Sequence, residues 1–238
     1  MNRTKRFASC LLVGCLVACC ASCEHGTNDN GDTSSDESAS RDQNSAQGTH
    51  LASSMSDYIE TLLKSASMSD SQRAMLERAK ENGGEVTASD YEQAWSDFRQ
   101  CMVDRGYSEP GVVRYPNGLY YHASLDISGG TKEQGDKLFK DLSDCNSAYL
   151  INVDSVYRLQ FGNPSLSSNS SEGAVDCLKR NDLAPANYTV AQFESDKDSI
   201  DTGGSAVVNF KDMQVRSCLI ANSINLGFPD DPVWKPFG

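Results

Sequence analysis

Four cysteines beyond the N-terminal region are the residues whose type and spacing most clearly point to a chemistry. They form two pairs with about 40 residues between the members of each. Oxidation would close two loops of similar length, and of the three possible pairings we favour the one within each pair. The favoured disulfides are Cys101–Cys145 and Cys177–Cys218. Free thiols and a metal site are the alternatives, but zinc sites typically use short spacings such as C-x-x-C, which these four lack, so we predict no metal ligand.

Histidine is scarce in the same region. His122 is the only histidine beyond His50, so a Ser-His-Asp or Cys-His site would have to use it. The motifs G-x-S-x-G, S-x-x-K and H-E-x-x-H do not occur, and neither does a glycine-rich phosphate loop. Nothing singles out a pair of carboxylates for glycoside hydrolysis. We therefore predict no catalytic residue, no cofactor and no enzymatic activity.

A group of aromatic residues is the candidate binding face. Its members are Tyr107, Tyr115, Tyr120, Tyr121 and His122. If exposed, these rings could stack on sugars or line a protein contact, in which tyrosine is enriched. If buried, they fill the core between a hairpin and helices, and we favour this packing role over binding.

Helical periodicity dominates the segments that must position these residues. Apolar residues recur on one helical stripe between Met55 and Ala66, and again from Tyr91 to Met102. The patterns Ser69 with Gln72 and Ser89 with Glu92 predict capping boxes at two helix starts. A third helix is expected over about residues 90–105, and further helical spacing starts at Leu138 and continues toward Phe161.

One stretch has the alternation of a β-hairpin. Apolar residues on either side of Pro116-Asn117-Gly118 predict two short strands joined by an Asn-Gly turn. The proline-rich tail from Phe228 onward is expected to be irregular, with Trp234 and Phe237 folding back onto the core.

The flanks of the cysteines indicate an internal repeat. A large apolar residue follows both Cys101 and Cys177. Phe139-Lys-Asp-Leu precedes the second cysteine of the first pair, and Phe210-Lys-Asp-Met precedes that of the second. We interpret these as two degenerate copies of one unit, in which a loop region separates two cysteine-bearing helices. The predicted fold is therefore mainly α with a minor β part: a disulfide-braced helical domain made of two degenerate helix–loop–helix units with a short β-hairpin.

Composition limits the partners of the chain. Its 238 residues carry 33 acidic and 21 basic groups, a formal net charge of -12. A nucleic-acid-binding protein needs a basic face for phosphates, and direct docking on anionic lipid needs positive surface charge, so we predict neither. Residues 19–50 are acidic, contain one basic residue and hold no aliphatic residue larger than alanine. We predict a disordered tether there.

The N-terminus resembles the signal peptide of a bacterial lipoprotein. Basic residues precede an apolar run from Phe7 to Ala18, which is too short to span a bilayer. Leu16-Val17-Ala18-Cys19 is similar to a lipobox, and the resemblance implies a diacylglycerol thioether on Cys19 after cleavage behind Ala18. Cys15 and Cys23 are weaker matches, and an ordinary signal peptide is the alternative. The implied location is the extracytoplasmic side of the cell membrane, with membrane contact through the lipid.

Residues 91–107, Tyr-Glu-Gln-Ala-Trp-Ser-Asp-Phe-Arg-Gln-Cys-Met-Val-Asp-Arg-Gly-Tyr, resemble a recurrent segment of small actinobacterial lipoproteins. Those chains carry a second cysteine-leucine segment, to which Cys177-Leu178 is similar, although Asn181-Asp182 replace the glycine of the first segment. The likeness extends loosely over residues 88–220. This resemblance implies that the chain is exported and contains disulfides, but it does not imply any enzymatic reaction.

These observations predict five segments. They are a signal peptide (1–18), a tether (19–50), a helical hairpin or stalk (51–87), a first cysteine-pair unit (88–163) and a second unit with an irregular tail (164–238). The sequence leaves open whether 51–87 pack on the body. The expected function is that of a non-catalytic cell-surface lipoprotein that binds or scaffolds an envelope protein complex or a cell-wall glycan. A solute-binding lipoprotein of an importer is the alternative.

Overall fold

The computed structural model describes residues 49–200 and 204–238, which are mainly helical. The helices are α1 (Met55–Ser65), α2 (Asp70–Glu81), α3 (Ala88–Asp104), α4 (Lys132–Tyr149), α5 (Ile151–Gly162), α6 (Ser170–Arg180), α7 (Val190–Ser199) and α8 (Met213–Ala221). The strands are β1 (Val112–Arg114), β2 (Tyr120–His122), β3 (Ser124–Leu125) and β4 (Val233–Trp234). The predicted signal peptide, Cys19 and nearly all of the predicted tether lie outside the described residues.

Side-chain caps begin every described helix except α5. Ser69 caps α2 by accepting a hydrogen bond from the backbone N–H of Gln72, as predicted. The cap of α3 is Thr87, whose hydroxyl accepts from the N–H of Asp90, so the predicted start at Ser89 is wrong by two residues. The apolar stripe of α3 is buried as its spacing predicts.

The predicted hairpin is present and is closed by the Asn-Gly turn. Strands β1 and β2 pair antiparallel, with Val113 opposite Tyr121. Gly118 has a φ of +83°, a left-handed conformation that glycine adopts without steric cost. The side chain of Asn117 accepts a hydrogen bond from the N–H of Leu119 and completes the turn.

The C-terminal tail returns to the centre of the molecule. Strand β4 pairs in parallel with β3, which places Leu125 opposite Trp234. The indole N–H of Trp234 donates to Ser108, and only 8% of this residue is exposed. The expected return of Trp234 to the core is therefore confirmed, although the tail is more regular than its composition predicts.

Residues 51–87 pack on the rest of the molecule, and Gln72 of α2 makes the central contact. Its side chain is fully buried and donates to the carbonyls of Ser147 and Ala148 at the end of α4. Its amide oxygen accepts from the N–H of Asn152 at the start of α5. These contacts satisfy backbone groups that the break between α4 and α5 at Leu150 leaves free. Gln72 therefore completes no capping box, and it holds α2 against both helices.

Two clusters of buried apolar side chains form the interior. The first contains residues of α1 to α5, the hairpin and Trp234, while the second contains residues of α6, α7, α8 and their connections. A disulfide joins Cys101 of α3 to Cys145 of α4, and another joins Cys177 of α6 to Cys218 of α8. The favoured pairing is thus the one present in the structure. Helix α8 contributes side chains to both clusters and connects them.

Arg158 of α5 ties three elements together through a buried guanidinium. It contacts the carboxylate of Asp154 at 2.5 Å and donates to the carbonyl of Tyr120 in β2 and to that of Ile220 in α8, each at 2.8 Å. Only 7% of its side chain is exposed. Because these partners lie on different elements, this one residue links the hairpin to the helix shared by both clusters.

The first described residues are bonded to the loop between α5 and α6. The N–H of Leu51 donates to the carbonyl of Leu166, and the N–H of Ser168 donates to that of Thr49, both at 2.8 Å. The Nδ1 atom of His50 lies 2.7 Å from the carbonyl oxygen of Ser165. The ladder holds Thr49–Leu51 against this loop, and the residues of the ladder belong to neither core cluster.

Candidate functional site

Three of the five residues of the candidate binding face are buried. Tyr107, Tyr115 and Tyr120 are each at most 8% exposed. The hydroxyl of Tyr107 donates to Asp141, while the ring of Tyr120 lies 5.6 Å from that of Tyr91. These three tyrosines fill the interior, so the five residues do not form one exposed face, in agreement with the packing role favoured above.

The remaining two members, Tyr121 and His122, are half-buried. The guanidinium of Arg158 lies 5.4 Å from the ring centre of Tyr121, a cation–π contact. The imidazole of His122 lies against the core rings of Trp95 and Phe98, at 4.9 and 5.0 Å between centres. Of these two half-buried residues, it is His122 that lines the largely apolar cavity described next.

The His122 cleft is a largely apolar cavity of about 290 Å³. It lies where α3, α4, the segment from β2 to β3, and β4 meet. Its lining residues are Phe98, His122, Ala123, Leu125, Leu142, Ser143, Asn146 and Trp234. Mostly apolar walls with a few polar groups are typical of small binding pockets, so this cleft is the candidate functional site.

Burial keeps the imidazole in this cleft neutral. It lowers the pKa of His122 to about 4, with a smaller lowering from Arg158 and an opposing effect of Asp154. The imidazole of His122 forms no hydrogen bond with any residue of the described ranges, and neither does the side-chain amide of Asn146. At neutral pH the cleft therefore offers uncharged polar side chains that have no hydrogen-bond partner among the described residues.

The lowered pKa predicts that stability falls in mildly acidic solution. In the unfolded chain His122 has its ordinary pKa of 6.5 and binds a proton below that pH. In the folded protein the imidazole stays unprotonated until the pH falls to about 4. Protonation thus favours unfolding across this window, and we expect the free energy of unfolding to fall by about 2–3 kcal/mol between pH 7 and 4.5. Urea unfolding at several pH values measures this slope. In His122→Phe most of the slope should disappear, and an unchanged slope would contradict the assignment.

Exposed apolar side chains adjoin the cleft. Phe139 is 54% and Ile127 37% exposed, both high for large apolar residues. Ile127 packs beside Gly135 of α4, one turn before Phe139. Phe139 in turn precedes Leu142 and Ser143 of the cleft by three and four positions, which places them on one helix face. We call Ile127 and Phe139 the α4 rim.

The structure gives two findings on other kinds of site. The described ranges contain no group of three or more His, Cys, Asp or Glu side chains that could hold a metal ion. No helix in residues 49–200 and 204–238 combines the length and apolarity that crossing a bilayer requires.

Sequence reasoning identified His122 but missed most of the cleft. Phe98 and Leu142 carry the ordinary signal of a buried helix face, and nothing in a helical stripe marks a residue that borders a cavity. Trp234 comes from a tail predicted to be irregular and reaches the cleft through the β3–β4 pair. One signal in the sequence could have indicated the site: Phe139 is a large apolar residue that lies outside the apolar stripe of α4, on the face expected to be exposed. Searches of protein-family models, curated proteins and solved structures find no match to this chain.

Proposed function

We propose that the protein is a non-catalytic lipoprotein, held at the extracytoplasmic side of the cell membrane by lipid on Cys19, that binds an envelope partner. The lipobox-like segment and the acidic stretch of residues 19–50 support the anchor and the tether. Two lipid chains would give stable attachment where a single chain is marginal. The partner is a protein complex or a cell-wall polymer.

The observation that carries the binding proposal is the open His122 cleft with the α4 rim beside it. Large apolar side chains left exposed beside a cavity are a common feature of interaction sites. An apolar cavity next to such a surface offers a place for an anchoring group. The same cleft also favours the alternative, a solute-binding lipoprotein of an importer, in which a small molecule would occupy it.

We also propose that the two cysteine-pair units are degenerate copies. In support, each disulfide joins two helices that flank an inserted segment: the hairpin in one unit and α7 in the other. The copies differ at the phenylalanine before the second cysteine: Phe139 lies within α4 and is 54% exposed, while Phe210 precedes α8 and is 4% exposed. We attribute this difference to divergence, with Phe139 retained on the surface for partner contact.

The anchor is tested by replacing Cys19. We expect Cys19→Ala to remove the lipid mass from the N-terminal peptide and to release the protein from membranes into the medium. Cys15→Ala is the matched control and should leave the protein membrane-bound and lipidated. Mass spectrometry of the N-terminal peptide reads both results. Loss of the lipid in the Cys15 variant instead would move the anchor to Cys15.

The partner contact is tested with a photo-crosslinking amino acid in place of Phe139, in intact cells. We expect one envelope component to be captured from this position. The same amino acid in place of Gln192, an exposed residue of α7, is the control and should capture nothing specific. Equal capture from both positions, or none from Phe139, would contradict binding through the α4 rim.

A further inference from the structure

We propose that the His122 cleft receives one uncharged aromatic side chain of the partner, a tyrosine, whose hydroxyl donates a hydrogen bond to the imidazole. This inference deepens the proposed function and rests on it, because it names the group that the bound partner inserts. It commits the partner to being a protein.

The size and walls of the cleft fit a single ring. A volume of about 290 Å³ lies at the lower end of the range for ligand pockets, so the cleft accommodates one ring but not a chain of sugars. Phe98 and Trp234 supply aromatic walls, and Leu125 and Leu142 supply aliphatic ones. Aromatic rings pack favourably against both kinds of wall.

Charge excludes several other occupants. None of the eight residues that line the cleft carries a charge, since the imidazole of His122 is neutral at pH 7. An ionic group entering this cavity would lose its hydration without gaining a charged partner, which is costly. Carboxylates, phosphates and ammonium groups are therefore poor occupants.

The unpartnered polar groups distinguish tyrosine from phenylalanine. A neutral imidazole has one nitrogen that accepts a hydrogen bond, and His122 makes none within the described residues. The imidazole nitrogens are not among the buried side-chain atoms that lack a partner, so solvent reaches them in the unbound protein. A phenolic hydroxyl would replace the water as hydrogen-bond donor, whereas a phenylalanine ring would cover the imidazole and leave its acceptor unsatisfied. Tyrosine therefore gains from the same walls and also from the hydrogen bond.

The surroundings of the cleft favour a protein over a glycan. A glycan carries many hydroxyl groups, each needing a partner, and only His122, Ser143 and Asn146 among the lining residues have polar side chains. The α4 rim instead extends the apolar surface beyond the mouth of the cleft. A central anchor surrounded by apolar contacts that exclude water is the usual arrangement in protein–protein interfaces.

The test uses the full-length protein in detergent, with its disulfides intact, and p-cresol as the analogue of the tyrosine side chain. NMR titration should shift the indole signal of Trp234 and the imidazole signal of His122. We expect toluene, which lacks the hydroxyl, to bind roughly 3- to 10-fold more weakly. The anion 4-methylbenzoate should not bind measurably. In His122→Phe the preference for p-cresol over toluene should disappear.

Two serines of α4 provide matched variants. Ser143 lines the cleft, whereas Ser147, four residues further along, is exposed and does not. Ser143→Phe should occupy the cleft, weaken p-cresol binding at least about 10-fold and abolish crosslinking from position 139 in cells. Ser147→Phe should alter neither result. Unchanged melting temperatures would show that both variants fold.

Each outcome has a defined consequence. Absence of p-cresol shifts at Trp234 and His122, equal binding of 4-methylbenzoate, or wild-type binding by Ser143→Phe overturns the inference. Shifts of these signals with N-acetylglucosamine but not with p-cresol also overturn it, in favour of a glycan. Capture of a partner from position 139 without p-cresol binding overturns the inference and leaves the proposed function standing. If the protein binds p-cresol but captures no partner from position 139, the proposed function is overturned, and so is the inference that a partner tyrosine enters the cleft.

Discussion

Arg158→Met is expected to lower the free energy of unfolding by about 3–5 kcal/mol, the range for breaking one side of a buried ion pair. The variant fills the volume of the side chain but leaves the carboxylate of Asp154 without its cation. It also removes the donors from the carbonyls of Tyr120 and Ile220, which the guanidinium contacts at 2.8 Å. Urea unfolding at pH 7 measures the change.

Two further variants distinguish the effect of breaking the buried ion pair from the effect of removing a positive charge. Arg78→Met removes a guanidinium that is 56% exposed and pairs with Asp90 at the surface, so it should cost at most about 1 kcal/mol. Combining Arg158→Met with Asp154→Leu should recover part of the loss, because no charge is then left unpaired. If Arg158→Met and Arg78→Met had equal effects, the linking role assigned to Arg158 would be wrong.

Removal of either disulfide is expected to cost roughly 3–4 kcal/mol, because each closes a long loop in the unfolded chain. The paired cysteines are 44 and 41 residues apart, so the two losses should be nearly equal. For a domain of this size the melting temperature should fall by roughly 6–16 °C in the Cys101→Ala/Cys145→Ala variant, and similarly for the other pair.

The two closed loops do not overlap in the sequence, so their effects should add. Loss of both disulfides would remove a large share of the stability of an ordinary domain, and we expect the four-alanine variant to be largely unfolded at 37 °C. Wild-type protein melted with and without a reductant is the matched control, since reduction deletes no atoms. A melting temperature that does not depend on the reductant would contradict this account.

Local patterns predicted the helices, the hairpin and the disulfide partners because each depends on residues close in sequence or on a repeated spacing. The stripe of α3 and the Asn-Gly turn are examples. The break between α4 and α5 was not predicted, because it depends on Gln72, a residue far away in the sequence that satisfies the freed backbone groups. The same holds for the pairing of β3 with β4, whose short strands carry almost no periodicity.

Part of the candidate site could likewise be predicted from the sequence, and part of it could not. His122 attracted attention as a lone histidine among aromatic residues, and its place in β2 followed from the hairpin. Its cavity follows from Phe98, Leu142 and Trp234, which come together only in the folded chain. Tyr107 and Tyr115 were grouped with it by proximity in sequence, yet their side chains point into the interior.

The ladder between Thr49–Leu51 and the loop before α6 has a mechanical consequence if the chain is anchored at Cys19. A pull between membrane and partner would enter the folded body at Thr49 and load these hydrogen bonds first. They are few and lie outside both core clusters, so they would open well before either core. Neither disulfide loop includes this ladder, and Ser54 then begins α1. Opening would release the chain from Thr49 to Ser54, about 20 Å when extended, so the anchored body could move by that length before the load reached α1 and the cores.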